Sequence, residues 1–209
     1  MLRLITYIVF FLVTAALVMP VAGDVFIWTD PDGVRHFSNV SPPQTAENAR
    51  ILEEEIRNRI PAGRQFKVIK VYDGDSLLVQ GMDLTLKIRM VGIDAPETGG
   101  SRKPGQPYSR KAHQYLSRRI QDRLVTLKTY GLGGYNRILA EVFINEINMN
   151  LEMVKAGLAE VYQGRLPGTF DAAPYLAAQD QAEKRRIGMW AQGNRYKSPR
   201  QWRKENPRN

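Results

Sequence analysis

The chain is 209 residues long, enough for one domain of ordinary size with extensions, and at 43% hydrophobic residues it can bury a core. Cysteine is absent, which excludes a disulfide framework and any thiolate metal site. The formal charge is +9; only Arg3 of the 30 Lys and Arg lies in the first 23 residues, so residues 24–209 carry +8, an excess that suggests an anionic partner: nucleic acid, anionic lipid or cell-wall polymer.

Residues 1–23 combine a basic start at Arg3, an apolar run from Leu4 to Met19, Pro20 and the small pair Ala22-Gly23. This is a secretory signal pattern, with cleavage expected after Gly23 and a mature chain secreted or periplasmic. The alternative is an uncleaved inner-membrane anchor, because the 20 residues from Leu4 to Gly23 hold no charge and could just span a bilayer. Residues 24–41 read as a hairpin segment, with Val25 to Trp28 and Val34 to Ser38 flanking the turn Asp30-Pro31-Asp32-Gly33. A hairpin alone is marginally stable, so it is expected to pack on something. His36, a single histidine on a hairpin, reads as structural rather than as a ligand.

Residues 42–63 read as a helical linker: Ser41-Pro42-Pro43 breaks the strand, and Ile51, Leu52, Ile56 and Ile60 space one apolar stripe along Glu47 to Ile60. Glu53, Glu54 and Glu55 are consecutive and cannot share a helix face, so they are expected to be solvated rather than metal-binding. From residue 64 to 193, strands are predicted over Phe66–Val71, Ser76–Gln80, Leu84–Ile93, Leu124–Thr129 and Ile138–Ile144. Helices are predicted over Tyr108–Ile120, Met149–Ala156 and Ala172–Arg186. The pattern alone is mixed α and β with a curled sheet, and five strands suit a small barrel. Residues 194–209 form a tail with six basic residues against Glu205. It reads as a solvated tail or as an extension of a nucleic-acid track in which Arg200 and Lys204 hold substrate, and Trp202 beside Arg203 hints at docking or stacking.

Three clusters carry the chemistry: Asp73-Gly74-Asp75-Ser76, then Arg89 with Gly92-Ile93-Asp94-Ala95-Pro96-Glu97, and then Tyr135-Asn136-Arg137. Asp75 and Asp94 offer the hard oxygens that calcium prefers, Glu97 offers a base, and Arg89 and Arg137 offer fixed positive charge for a phosphate. The strand after Asp75 runs out, turns near Gly81-Met82-Asp83 and returns toward Ile93, so antiparallel pairing should bring Asp75 and Asp94 to one end of the sheet. Arg89 and Asp94 are five apart and would face opposite sides of a regular strand, so the alternation must break, with a bulge expected at Gly92. Asp73 is expected to support the metal site or merely to build the turn. Tyr135 is open to phosphate or base contact, partner stacking or core packing.

The order and spacing of these clusters resemble the staphylococcal nuclease family from about Arg64 to Gly193, with support from Asn150 through Gly157-Leu158-Ala159 and from Gly188-Met189-Trp190. The resemblance implies an α+β domain, an OB-fold five-stranded barrel with three helices, acting as a monomeric nuclease on DNA and RNA with little sequence specificity. It implies calcium held by Asp75, Asp94 and the Ala95 carbonyl, catalysis by Arg89, Glu97 and Arg137, and 3'-phosphate products. The departures from the family pattern are Gly134, Asn136 and Ser76; those at 134 and 136 bear on substrate affinity and on the aim of Arg137. The hairpin, through Trp28, Asp30, Gly33, His36, Phe37 and Ser38, is similar to a short domain of unknown function in bacterial envelope proteins. The rival readings are a non-catalytic OB-fold nucleic-acid-binding module and an envelope adaptor.

Overall fold

A computed structural model describes residues 26–29, 35–38, 50–51, 63–81, 84–100 and 104–207. The expected signal or anchor segment, the hairpin turn and most of the linker lie outside the described residues, as do the side chains of the hairpin, His36 included. The chain divides into two units, Met1–Leu52 and Glu53–Asn209.

In the first unit, β1 (Phe26–Thr29) pairs antiparallel with β2 (Arg35–Ser38), Trp28 opposite His36, as the hairpin pattern predicts. The other edge of β1 is taken by β3 (Arg50–Ile51), with Ile51 opposite Phe26. This corrects the helix expected over Glu47 to Ile60 at those two positions. A two-stranded hairpin is marginal on its own, and a third strand covers its open edge, a use for which β-branched Ile51 is as well suited as for a helix stripe.

The second unit is built on β4 (Gln65–Val71), β5 (Ser76–Gly81), β6 (Leu84–Met90), β7 (Ile93–Asp94), β8 (Leu124–Gly133), β9 (Arg137–Ile144), β10 (Ile147–Asn148) and β11 (Glu160–Val161). β4, β5 and β6 form an antiparallel meander; β9 joins β6 in parallel, and β8 pairs with both β9 and β4. The circuit β4-β5-β6-β9-β8 therefore closes, giving the five-stranded OB-type barrel that the resemblance implies and leaving no long edge. Period-two alternation turns Phe66, Val68, Leu77 and Val79 inward, all fully buried. The predicted strand Leu84–Ile93 is in fact two, β6 and β7, and this break matters for the site.

Helix α1 (Ser109–Ile120) buries Ala112, Leu116 and Ile120, one stripe at four-residue spacing against the barrel. Its end is tied down by Gln121, whose side chain accepts from Val71 N at 3.2 Å and donates to Ile69 O at 3.0 Å. Helix α2 (Met149–Lys155) is capped by Asn148, which accepts from Leu151 N. Two residues on, Asn150 is fully buried; it accepts from Val142 N and donates to the carbonyls of Val91 and Ala140, holding α2 to the barrel wall. Helix α3 (Ala173–Lys184) buries Tyr175, Ala178 and Ala182; the Tyr175 hydroxyl donates to Glu141 at 2.6 Å. A fourth helix, α4 (Pro199–Glu205), lies where only a basic tail is expected.

Candidate active site

The acidic end of the barrel begins with a turn. The Asp73 carboxylate accepts from Asp75 N at 2.9 Å, closing the loop between β4 and β5. A Cβ at Gly74 would lie 2.6 Å from Ala95 Cβ and 2.9 Å from Ala112 Cβ, so only glycine lets this turn rest on the segment that carries Asp94. The contact delivers Asp75: its Oδ2 accepts from Ala95 N at 2.7 Å and its Oδ1 from Ser76 Oγ at 2.9 Å. Asp73 thus builds the turn that carries Asp75.

The break between Arg89 and Asp94 is a turn at Val91-Gly92 that ends β6 and starts β7, not a bulge within one strand. Gly92 has φ +81°, and a Cβ there would lie 2.1 Å from Phe170 Cζ, so the turn is closed to other residues on two counts. With the strand parity reset, Arg89 bridges both aspartates, Nη1 to Asp75 Oδ2 at 2.7 Å and Nη2 to Asp94 Oδ1 at 3.2 Å. β7 pairs with β11, placing Asp94 opposite Glu160.

Glu97 follows Pro96 into a loop that Gln106 pins. Glu97 N donates to Gln106 Oε1 at 3.1 Å, and Gln106 N donates back to Glu97 O at 2.9 Å. Gln106 Nε2 donates to the Lys197 carbonyl at 2.8 Å, which joins this loop to the C-terminal segment. From α4, Arg203 reaches into the acids: Nη1 to Asp94 Oδ1 at 2.9 Å, Nη2 to Asp94 Oδ2 at 2.7 Å, and Nη1 to Glu97 Oε1 at 2.7 Å. The solvated-tail expectation is therefore corrected, and the docking hinted at by Trp202-Arg203 is what the fold adopts. Capping and ion pairing hold it: Ser198 accepts from Gln201 N, and Lys197 pairs with Glu205 at 2.5 Å.

Burial raises the pKa of Asp94, an effect that the Arg203 hydrogen bonds offset in part. Burial and then the neighbouring Asp75 charge lift Asp73 to about 7. For Arg89, burial works to lower its pKa, but Asp75, Asp94 and Asp73 outweigh it and the net shift is upward. Arg203 also lies above its ordinary value, chiefly through its hydrogen bonds to Asp94.

The arginine on the other side is differently placed. β9 lies beside β6 with Ile88 opposite Ile138, which puts Arg89 and Arg137 on adjacent strands. The Arg137 side chain donates from Nε to Gly134 O at 3.1 Å across the 3-10 turn Gly134–Asn136, its only side-chain hydrogen bond among the described residues. Tyr135 in that turn is 92% exposed, which removes core packing from its possible roles, and the Arg137 guanidinium lies 5.7 Å from its ring centre. Arg89, Glu97, Tyr135, Arg137 and Arg203 all line one open cleft of about 1390 Å³.

The donor chemistry fits a hard cation. The side chains that converge are carboxylates, Asp75 and Asp94 sharing Arg89, and the chain has no cysteine to offer a thiolate. Among the described residues no three acid or histidine side chains gather as a ready metal cluster. Asp75 and Asp94 would therefore need the Ala95 carbonyl and water to complete a shell. Sequence reasoning missed two residues with roles here, and gave Ser76 no role beyond its place in the first cluster. Gln106 has no signal beyond being polar; for Arg203 the only signal is the neighbouring tryptophan.

Fold and site together define an OB-barrel domain with a carboxylate–arginine cleft at one end. Residues 87–192 match the family model described as staphylococcal nuclease homologue, and the chain belongs to that family. Residues 12–55 match a domain of unknown function (DUF4124). Over 142 residues the chain is 37% identical to an "Uncharacterized endonuclease" of Haemophilus influenzae, covering 66% of this chain and 72% of that protein. It is 36% identical over 140 residues to "Probable endonuclease lcl3" of Sclerotinia sclerotiorum, covering 62% of this chain and 53% of the relative. It is also 35% identical over 127 residues to "Probable endonuclease LCL3" of Phaeosphaeria nodorum, covering 58% and 42%. The chain thus spans about half the length of the first curated relatives it matches.

Proposed function

We propose that this chain is a calcium-dependent nuclease that hydrolyses DNA and RNA phosphodiester bonds with little sequence preference and leaves 3'-phosphate ends. The observation that carries this reading is a cleft lined by Asp75, Arg89, Glu97 and Arg137, with Asp94 ion-paired to Arg89 behind it and Arg137 on the strand adjacent to that of Arg89. The endonuclease names of the relatives point the same way.

Asp75, Asp94 and the Ala95 carbonyl would hold calcium, whose chemistry when bound is Lewis-acid polarisation of a phosphoryl oxygen. Glu97 orients the attacking water and takes its proton, held in position by Gln106 through the backbone. Arg89, fixed by two carboxylates, and Arg137, on the open side, stabilise the charge that builds on the phosphoryl oxygens as the 5'-oxygen leaves. These groups read phosphate and not bases, and Tyr135 offers a stacking face that any base can use. Processing after Gly23 would deliver the enzyme to the cell envelope or beyond, with anchoring through residues 1–23 as the alternative.

The test is digestion of single-stranded DNA and RNA by the purified chain with calcium or with excess chelator, with end-group analysis of the products. Calcium binding by the chain and by Asp94→Asn is measured alongside by titration calorimetry. Cleavage that persists in chelator would remove calcium from the reading. Nucleic-acid binding without any cleavage would leave a non-catalytic OB-fold module.

A further inference from the structure

Helix α4 lies beyond the matched nuclease region, which ends at residue 192, yet it docks in the cleft. Arg203 takes both oxygens of Asp94 and one of Glu97. Asp94 Oδ1 already accepts from Arg89, so both Asp94 oxygens are engaged by guanidinium groups. A guanidinium seated on these carboxylates stands where a cation bound by Asp94 would stand, and two positive centres a few ångströms apart repel strongly in a poorly solvated site.

The docking is built into the fold. Gln106 is 4% exposed and serves both partners at once, holding Glu97 N with its oxygen and the Lys197 carbonyl with its nitrogen. Tyr196, just before α4, donates its hydroxyl to Glu160, which is 2% exposed and sits opposite Asp94 in the β7–β11 register. The contact is open to solvent on one side only: the Arg203 side chain is 37% exposed and that of Asp94 3%, so small ions have access to the guanidinium. The charge count agrees: Asp75, Asp94 and Glu97 face Arg89 and Arg203, so exchanging Arg203 for a dication moves the group from one net negative charge to zero.

We propose that Arg203 is a built-in occupant of the cation position at Asp94 and Glu97, and that calcium binds there by displacing the C-terminal helix from the cleft. This rests on the reading of Asp94 as a calcium ligand. In the apo chain the helix closes the site, and calcium opens it for the phosphate to enter beside Glu97.

The test uses the full chain without nucleic acid. Calcium affinity is measured by titration calorimetry for the unmodified chain, Arg203→Ala and Asp94→Asn, and amide hydrogen exchange over residues 199–205 is followed with and without calcium. Arg203→Ala is expected to bind calcium about tenfold more tightly, within the usual range of coupling between two exclusive events, because no fraction of the chain is then held closed. In the unmodified chain, saturating calcium is expected to speed exchange in α4. Equal affinity for the unmodified chain and Arg203→Ala, with binding lost in Asp94→Asn, would overturn the displacement while leaving the calcium site intact. Binding that ignores Asp94→Asn, or no binding by any variant, would remove the calcium reading and this inference together. Should Arg203→Ala fail to fold, exchange in the unmodified chain decides alone, and α4 equally protected with and without calcium overturns the proposal.

Discussion

The two walls of the cleft are made differently. On the acidic wall, Asp75, Asp94 and Arg89 are buried or nearly so and interlocked: each holds another of the three in place. On the opposite wall, the Arg137 side chain has one backbone partner among the described residues and Tyr135 stands in solvent. The lesson is that the acidic wall is part of the fold as well as of the chemistry, whereas the arginine–tyrosine wall is chemistry carried on a turn. Substitutions on the two walls should separate activity from stability in opposite ways.

The largest effect is expected from Arg89→Ala, which leaves two buried carboxylates without their shared partner. Breaking such a pair typically costs about 3 to 5 kcal/mol, so the melting temperature should fall by many degrees along with turnover. Thermal melting in chelator, with no calcium to substitute, checks it; an unchanged melt would mean that the acidic wall does not depend on this bridge. Glu97→Gln comes next, with an expected loss of about two to three orders of magnitude in single-turnover cleavage, because it removes the proposed base while keeping a hydrogen-bond acceptor for Arg203.

Arg137→Ala should lose turnover on a similar scale, about two orders of magnitude, yet melt like the unmodified chain, since no buried group depends on it. A clear drop in its melting temperature would contradict the contrast between the walls. A smaller effect is expected from Glu160, behind the acidic wall. Burial first, offset in part by the Tyr196 hydrogen bond and reinforced by the Asp94 charge, raises its pKa from 4.5 to about 7. The folded state therefore holds a proton that the unfolded chain releases above about pH 4.5. The stabilisation is complete below that pH and is lost as pH rises toward 7, by an amount of order 1 to 3 kcal/mol. Urea unfolding at pH 5 and pH 8 should show the fall, and Glu160→Gln should flatten it. The smallest effect belongs to Tyr135→Ala, which should weaken single-strand binding by about 1 kcal/mol with no change in melting. A larger loss, or any loss of stability, would mean that its exposed ring does more than stack.

Much of this arrangement could be read from residue order alone. The alternation in β4 and β5, the four-residue stripe of α1 and the Asp73-Gly74-Asp75 turn are local patterns, and local patterns survive in a linear chain because neighbouring residues share one backbone geometry. The return of Asp94 to Asp75 follows from a meander with a short turn, so it too is nearly local. What the tertiary structure alone decided are contacts between distant segments. These are the closure of β8 onto β4, the parallel seat of β9 beside β6, the Phe170 ring that makes Gly92 obligatory, and the pairing of β3 with β1 where a helix stripe is written. The same holds for Arg203, which meets Asp94 across 109 residues of sequence. Nothing in a basic tail specifies which of many acids it will find, because that choice depends on closing a long loop against a wall that exists only once the barrel has formed.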